Sequence, residues 1–579
     1  MIGRPMSALL LCLGLVWASV GSARAAEIEV TLKGLEGAPR ENVRALLSIA
    51  DDLPEGSTRA PAVRRLHRRA PEEIRKALRP YGYYAPEIDS RLERTGEEWR
   101  ARYRIDPGPR VQVTDVEITL RGDAEQDPTF DALRSELPLQ AGEPLAHPDY
   151  SKSKTRLLEL AAERGYFEAE WVTSRLEIDP EALSARAILV LDSGPRYAFG
   201  EVIFEQDELS ERFLERYLPF DIGDPYQAQQ VRELRFALDD SDYFERVDVR
   251  VQRERRGDGR VPIHVTAEAR PQNRYTFGVG FGTDTGARVS AGWENRYINR
   301  QGHSLDTKIE LAQIRTRLSA RYRIPLAEPA REQMVFNTAF TEEEIGDGDT
   351  EEFTFGARRV ETFGNFQSKV SLDFQRSADD IGGEEDTRDL VVPGASLTYS
   401  RFDDAVYATR GFRLGGFVDG GSASLGSDTS FLRARVEGQF VRQVWSGGRV
   451  LVRGELGTSE VDDVDELPLS RRFFAGGDNS VRGFDFQDLG PRDDEGDVVG
   501  GRHLVVGSVE LEQMIHGNWG AAVFLDAGNA MDSLDVPLRE AAGVGLRYRS
   551  PFGMFRVDVA KAIDGDESPR LHLSFGINL

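Results

Sequence analysis

From about Arg274 to Leu579 the chain alternates apolar and polar residues with a period of two, the signature of strands that have two different faces. Leu305, Thr307, Ile309 and Leu311 alternate with Asp306, Lys308 and Glu310, and Leu318, Ala320, Tyr322 and Ile324 with Arg317, Ser319, Arg321 and Arg323. The chain ends in the same register, with Leu571, Leu573, Phe575, Ile577 and Leu579 set against His572, Ser574, Gly576 and Asn578. A soluble sandwich also alternates, but usually with fewer strands. About sixteen segments of roughly ten residues, an even number and each long enough to cross hydrocarbon at a tilt, predict a 16-stranded antiparallel transmembrane β-barrel. Lipid offers no partner to a bare sheet edge, so the first strand, near Tyr275 to Gly282, has to meet the last. Short turns such as Ser446, Gly447, Gly448 alternate with acidic excursions, Thr341 to Glu352 and Ser377 to Asp389, which are expected as loops outside the cell.

The N-terminus reads as a signal peptide over residues 1–25: Arg4 is the positive n-region, Ala8 to Val20 the apolar core, and Ala23, Arg24, Ala25 the cleavage signal. The one cysteine, Cys12, lies inside it and follows Leu11, which is not the small residue a lipoprotein signal wants, so no disulfide or thiolate chemistry is expected after cleavage. A formal net charge of −25 argues against nucleic acid as a partner. No G-x-S-x-G or H-E-x-x-H motif is present, the seven histidines show no metal spacing, and neither an enzyme nor a cofactor is expected.

Between the signal and the barrel a unit of roughly eighty residues occurs three times. A helical pattern ends each time on a small or acidic residue followed by two aromatics: Gly82, Tyr83, Tyr84; Gly165, Tyr166, Phe167; Asp242, Tyr243, Phe244. Gly108, Pro109, Arg110 and Gly194, Pro195, Arg196 each open a new unit, and every unit reads strand, helix, helix, strand, strand, an α+β plan. The expected boundaries are 26–107, 108–193, 194–271 and 272–579 for the barrel. The aromatics read as core packing. The first unit carries a basic helix with Arg64, Arg65 and Arg68, open to two readings, a solvated face or a docking patch for an acidic partner or lipid headgroups.

The longest loop, Glu460 to Arg502, falls between the eleventh and twelfth strands and holds RRFFAGGDNSVRGFDF. Phe473, Phe474, Phe484 and Phe486 are poor residues to leave in water, so the loop is expected to fold into the lumen. Register supplies a receiving wall. If Val523 and Leu525 face lipid, Phe524, Asp526 and Gly528 face inward, and outward Val505, Gly507, Val509 and Leu511 place Glu510 inward. Arg482 is expected to bond Asp526 with both arms of its fork, with Glu510 as second partner, discounted for a wet lumen. Gly278, Gly280 and Gly282 in the first strand and Gly576 beside Phe575 and Leu579 in the last fit either a weakened lateral seam or room for lumen contacts.

The three repeats resemble POTRA domains, and Val481, Arg482, Gly483, Phe484 with F-x-D-x-G at Phe524 to Gly528 resemble the markers of the BamA/TamA superfamily of outer-membrane assembly barrels. Three units, HLVVGSVELE and the Asn-Leu terminus are most similar to its TamA branch; Leu579 departs from the usual terminal Phe. The resemblance implies an insertase that delivers client outer-membrane proteins of autotransporter type through the seam. It also implies a TamB-like inner-membrane-anchored partner, contact with outer-membrane lipids, and N-terminal domains in the periplasm. Alternatives are a two-partner-type secretion pore, usually with two units and a plug helix, and lipid transport with the same partner. A BamA-type barrel would carry five units.

Overall fold

The computed structural model describes residues 28–50, 60–96, 98–404, 406–551, 553–563 and 568–576. The signal peptide and Leu579 lie outside the described residues. They form two compact units. One is built from the first two domains with Ile222–Gln229 and Arg253–Val261 of the third, and the other from the rest of the third domain and the barrel.

Each POTRA-like domain is a three-stranded sheet whose middle strand is the last in sequence, so the first and third strands of a unit pair in parallel across the helices between them. In the second domain the helix His147–Glu163 packs Leu157, Leu160 and Ala161 on the sheet residues Leu189 and Leu191. The repeated aromatic motif marks the exit of that helix. Gly82, Gly165 and Asp242 all adopt left-handed backbone, with φ of 86°, 88° and 64°, the turn that ends a helix and reverses the chain. The tyrosine after it then drops into the core, and Tyr166 and Tyr243 are buried.

Sixteen strands close the barrel, from Asn273–Gly282 to Arg570–Gly576, each paired antiparallel with its sequence neighbours. Their lengths are uneven. The first four have 9 to 11 residues, enough to cross hydrocarbon, whereas the fifth to eighth reach 14, 16, 16 and 19. The two acidic excursions are therefore not loops. Thr341 pairs with Glu352 and Ser377 with Arg388 in hairpins that turn only at Gly346 and at Gly382 and Gly383. Continuous ladder pairing satisfies the backbone there and carries the acidic side chains beyond the membrane.

The ring closes between its first and last strands. Among the described residues the first and last strands share one register pair, Gly282 with Ser574, extended by a bond from the Thr283 amide to the Leu573 carbonyl (3.1 Å). Every other neighbouring pair in the barrel is zipped along most of its length.

Asp127 caps the helix Pro128–Arg134 and accepts a two-pronged bond from Arg164 (2.9 and 3.1 Å) and the Tyr166 hydroxyl (3.1 Å). Burial pushes its carboxyl up, but the bonds from Arg164 and Thr129 outweigh it and hold the group below the usual range. Stability from this pair is present above the ordinary carboxylate value and is lost as pH falls through the lowered one. Asp127→Asn is expected to flatten that acid limb in thermal melts, and Tyr166→Ala to cost about 3–5 kcal/mol at neutral pH.

Candidate functional site: a loop locked to the barrel wall

The chain between Val461 and His503 turns back into the barrel. Phe473, Ala475, Val481, Phe484 and Leu489 from the loop pack with Leu504, Val506, Ala530, Ala541 and Ala562 of the wall in one apolar cluster. Isolated ladder contacts, Phe473 with Gly501 and Ala475 with Leu489, hold the loop to itself. Its entry is fastened to the tall side of the barrel: Ser470 donates to Glu352 (2.6 Å), and Arg471 reaches Gln375 (2.8 Å) and Asp419 (2.8 Å).

The tip is fastened opposite. Arg482 is 3% exposed and donates Nε and Nη2 to the two oxygens of Asp526 (2.7 and 3.0 Å), while its own amide also reaches Asp526 (3.1 Å). Nη1 is shared between Glu510 (2.7 Å) and Asp558 (3.1 Å). Phe524 lies beneath the guanidinium, 3.3 Å from carbon to ring centroid, which closes its remaining face. Asp526, Glu510 and Phe524 thus come together on Arg482. Gly528 adjoins Val481, because a Cβ there would stand 3.0 Å from Val481 Cγ2. Gly483 is needed twice over, by φ of 98° and by Ala541 and the Ala562 amide, each 3.1 Å from an added Cβ.

Residues that the loop motif did not point to complete the network. Arg547 of the fourteenth strand, Arg539–Ser550, is wholly buried and donates to Glu510 (2.6 and 3.1 Å), Glu512 (3.0 Å) and Asp558. Arg449 bonds the far oxygen of Glu512 (2.6 Å), and Ser508 bridges to Asp526 (2.6 Å). The outward alternation of Val544 and Leu546, and of Val557 and Val559, already places Arg547 and Asp558 inside. Arg482, Asp526, Glu510, Asp558 and Arg547 are all buried, so the discount for a wet site does not apply.

The other expected residues lie apart from the lock. Gly278, Gly280 and Gly282 line the lumen side of the first strand, where added Cβ atoms would meet Ser290 Oγ at 2.7 Å and the Arg288 guanidinium at 3.3 Å. At Gly278 and Gly280 they make room for cross-strand neighbours. Phe575 stacks on Phe555 (4.0 Å) and Gly576 pairs with Met554, both on the fifteenth strand rather than across the seam. Arg64, Arg65 and Arg68 are exposed on the helix Ala60–Leu78, and among the described residues they make no ion pair.

An Omp85 superfamily domain matches residues 271–579, more than half of the chain. The chain belongs to the Omp85 superfamily. A POTRA domain of the TamA domain 1 type matches residues 29–107, and a surface antigen variable number repeat, also a POTRA domain, matches 197–269. This Omp85 protein is an outer-membrane barrel with periplasmic N-terminal domains. It is similar to the outer membrane protein assembly factor BamA of Nitratidesulfovibrio vulgaris, 23% identical over 71% of this chain and 54% of that one. To BamA of Neorickettsia risticii it is 33% identical over 27% of this chain and 23% of that one. It spans about half the length of the first of these relatives, or less. The fold is that of BamA from Haemophilus ducreyi lacking POTRA domains 1–3, with TM-score 0.67 at 17% identity over 80% of this chain and 99% of that one.

Removing Arg482 leaves Asp526, Glu510 and Asp558 buried with too little positive charge. Arg482→Ala is expected to cost the barrel about 3–5 kcal/mol in denaturant unfolding, and Arg482→Lys to recover only part of it because an ammonium lacks the fork. In a double-mutant cycle with Asp526→Ala the coupling should exceed about 1 kcal/mol, and strict additivity would contradict the lock.

Proposed function

We propose that this Omp85 barrel is a non-enzymatic assembly factor that inserts client outer-membrane proteins, autotransporters among them, through the seam between its first and last strands. The observation that carries the reading is that, among the described residues, one register pair, Gly282 with Ser574, closes that seam. A barrel strand edge is ordinarily sealed because an unpaired one templates any other strand. Outward Phe277 and Val279 of the first strand are 84% and 83% exposed. A client strand can add to the open edge by backbone hydrogen bonding, which requires no particular client sequence.

The TamA-type first domain supports membership of the TamA branch and hence a TamB-like inner-membrane-anchored partner. The exposed Arg64, Arg65 and Arg68 offer that partner a cationic face in an otherwise acidic chain. Replacing all three with Glu is expected to abolish its co-purification while the barrel still folds.

Gly282→Cys with Ser574→Cys puts two thiols opposite one another at the seam, where an added Cβ on Gly282 has space. Oxidation is expected to stop assembly of autotransporter clients in intact cells, and reductant to restore it. Normal assembly through an oxidised seam would refute lateral delivery.

A further inference from the structure

The outer end of the seam carries a polar network that neither the loop lock nor strand pairing requires. Asp478, four residues before Arg482, takes Thr283 Oγ1 from the turn after the first strand (3.0 Å) and His572 Nδ1 from the last strand (2.7 Å). Its amide donates to Asp284 Oδ2 (2.7 Å) in the same turn. Thr283 Oγ1 accepts from the Leu573 amide (3.1 Å), and His572 Nε2 accepts from the Gly483 amide (3.0 Å).

The donors fix the protonation. A backbone N–H on Nε2 means that Nε2 carries a lone pair, so the proton of the neutral imidazole sits on Nδ1 and points at Asp478. That leaves His572 no lone pair for a metal ion. Oxygens of Asp284 and Asp478 and a nitrogen of His572 all lie within 4.8 Å of one another, and two ionised carboxylates that close repel.

We propose that Asp284, Asp478 and His572 form a proton-dependent clasp across the outer end of the seam, in which one proton shared by the two carboxyl groups ties the first-strand turn, the loop and the last strand together. It rests on the reading of the seam as an exit and adds a control to it. Burial, followed by the charge of Asp478, pushes the Asp284 carboxyl up to about 7, against a partial offset from the bond of the Asp478 amide and then from His572. Other charges face the cluster. Glu344 of the fifth strand, Asp485 of the loop and Arg570 of the last strand line the adjoining cavity of about 520 Å³, where Arg570 is paired with Asp485. Asp558 neighbours His572 in register but is committed to Arg482 and Arg547.

A group whose value is raised in the closed form binds a proton that the open form releases. Clasp stability is therefore full at acid pH, below the ordinary carboxylate value, and is lost as pH rises through about 7. The network thus closes the seam in acid and loosens it in alkali.

Spin labels at Phe281 and Phe575, opposite one another in the Gly282–Ser574 register, report the seam of the full-length protein in nanodiscs with EDTA present. Between about pH 6 and about pH 8.5 the separated population is expected to rise several-fold, with a midpoint near 7. Asp284→Asn, an isosteric change, should hold the seam closed at both, whereas His572→Gln should keep the titration because the shared proton is on the carboxyl pair. A pH-independent wild type, or a titration that survives Asp284→Asn and vanishes in His572→Gln, would overturn the clasp. No client is present in this measurement, so its outcome is separate from that of the oxidised-seam experiment.

Discussion

A guanidinium buried among carboxylates fixes this barrel's interior. Arg482 arrives on a loop, yet its partners come from three different strands, Asp526 on the thirteenth, Glu510 on the twelfth and Asp558 on the fifteenth. Burying such charges is costly unless geometry and hydrogen bonding are complete, and here they are completed by a second arginine. Arg547 takes the other oxygens of Glu510 and Asp558, so neither arginine can leave without stranding these two acids. Asp526, with no exposed surface, has no water to fall back on. The rest of the loop follows from this point: Val481 must lie against Gly528, Phe484 must enter the apolar cluster, and Gly483 must turn left-handed between them.

Strand height decides where the remaining freedom lies. Backbone ladder bonds scale with paired length, and the fifth to eighth strands are paired well past the thickness of a bilayer. The loop's entry is held to them through Glu352 and Gln375, and to the ninth strand through Asp419. The first strand has the opposite character. It is short, glycine-rich on its lumen side and, among the described residues, paired along its length with the second strand and at one position with the last. Among the described residues the seam is the junction with the fewest ladder bonds.

Much of this was legible in the residues because a period of two allows no slack. Once Val523 and Leu525 are set outward, Asp526 and Phe524 can only face in, and the pairing with Arg482 follows from charge. The same rule applied to the fourteenth and fifteenth strands would have found Arg547 and Asp558. They were missed because no loop motif drew attention to them. His572 and Asp284 carry no sequence signal of a shared site, since nearly three hundred residues separate them and only ring closure brings them together. The acidic stretches misread as loops show the limit of composition: charge predicts exposure, but Thr341 to Glu352 and Ser377 to Asp389 remain strands because each finds a partner in register.

The loop's two sets of contacts differ in kind, and that difference bears on how an edge could open without the barrel coming apart. The lock on the twelfth to fifteenth strands is made of buried, mutually dependent charge pairs that break together or not at all. The contacts to the seam itself pass through partly buried Asp284, exposed Thr283 and one imidazole, and each is a single hydrogen bond worth about 0.5–1.5 kcal/mol, or about 1.5–3 where a charge takes part. Separating the first strand from the last therefore leaves the lock in place. The last strand stays fixed to the fifteenth by its ladder, and the first to the second, so both edges remain formed as templates while the gap between them widens.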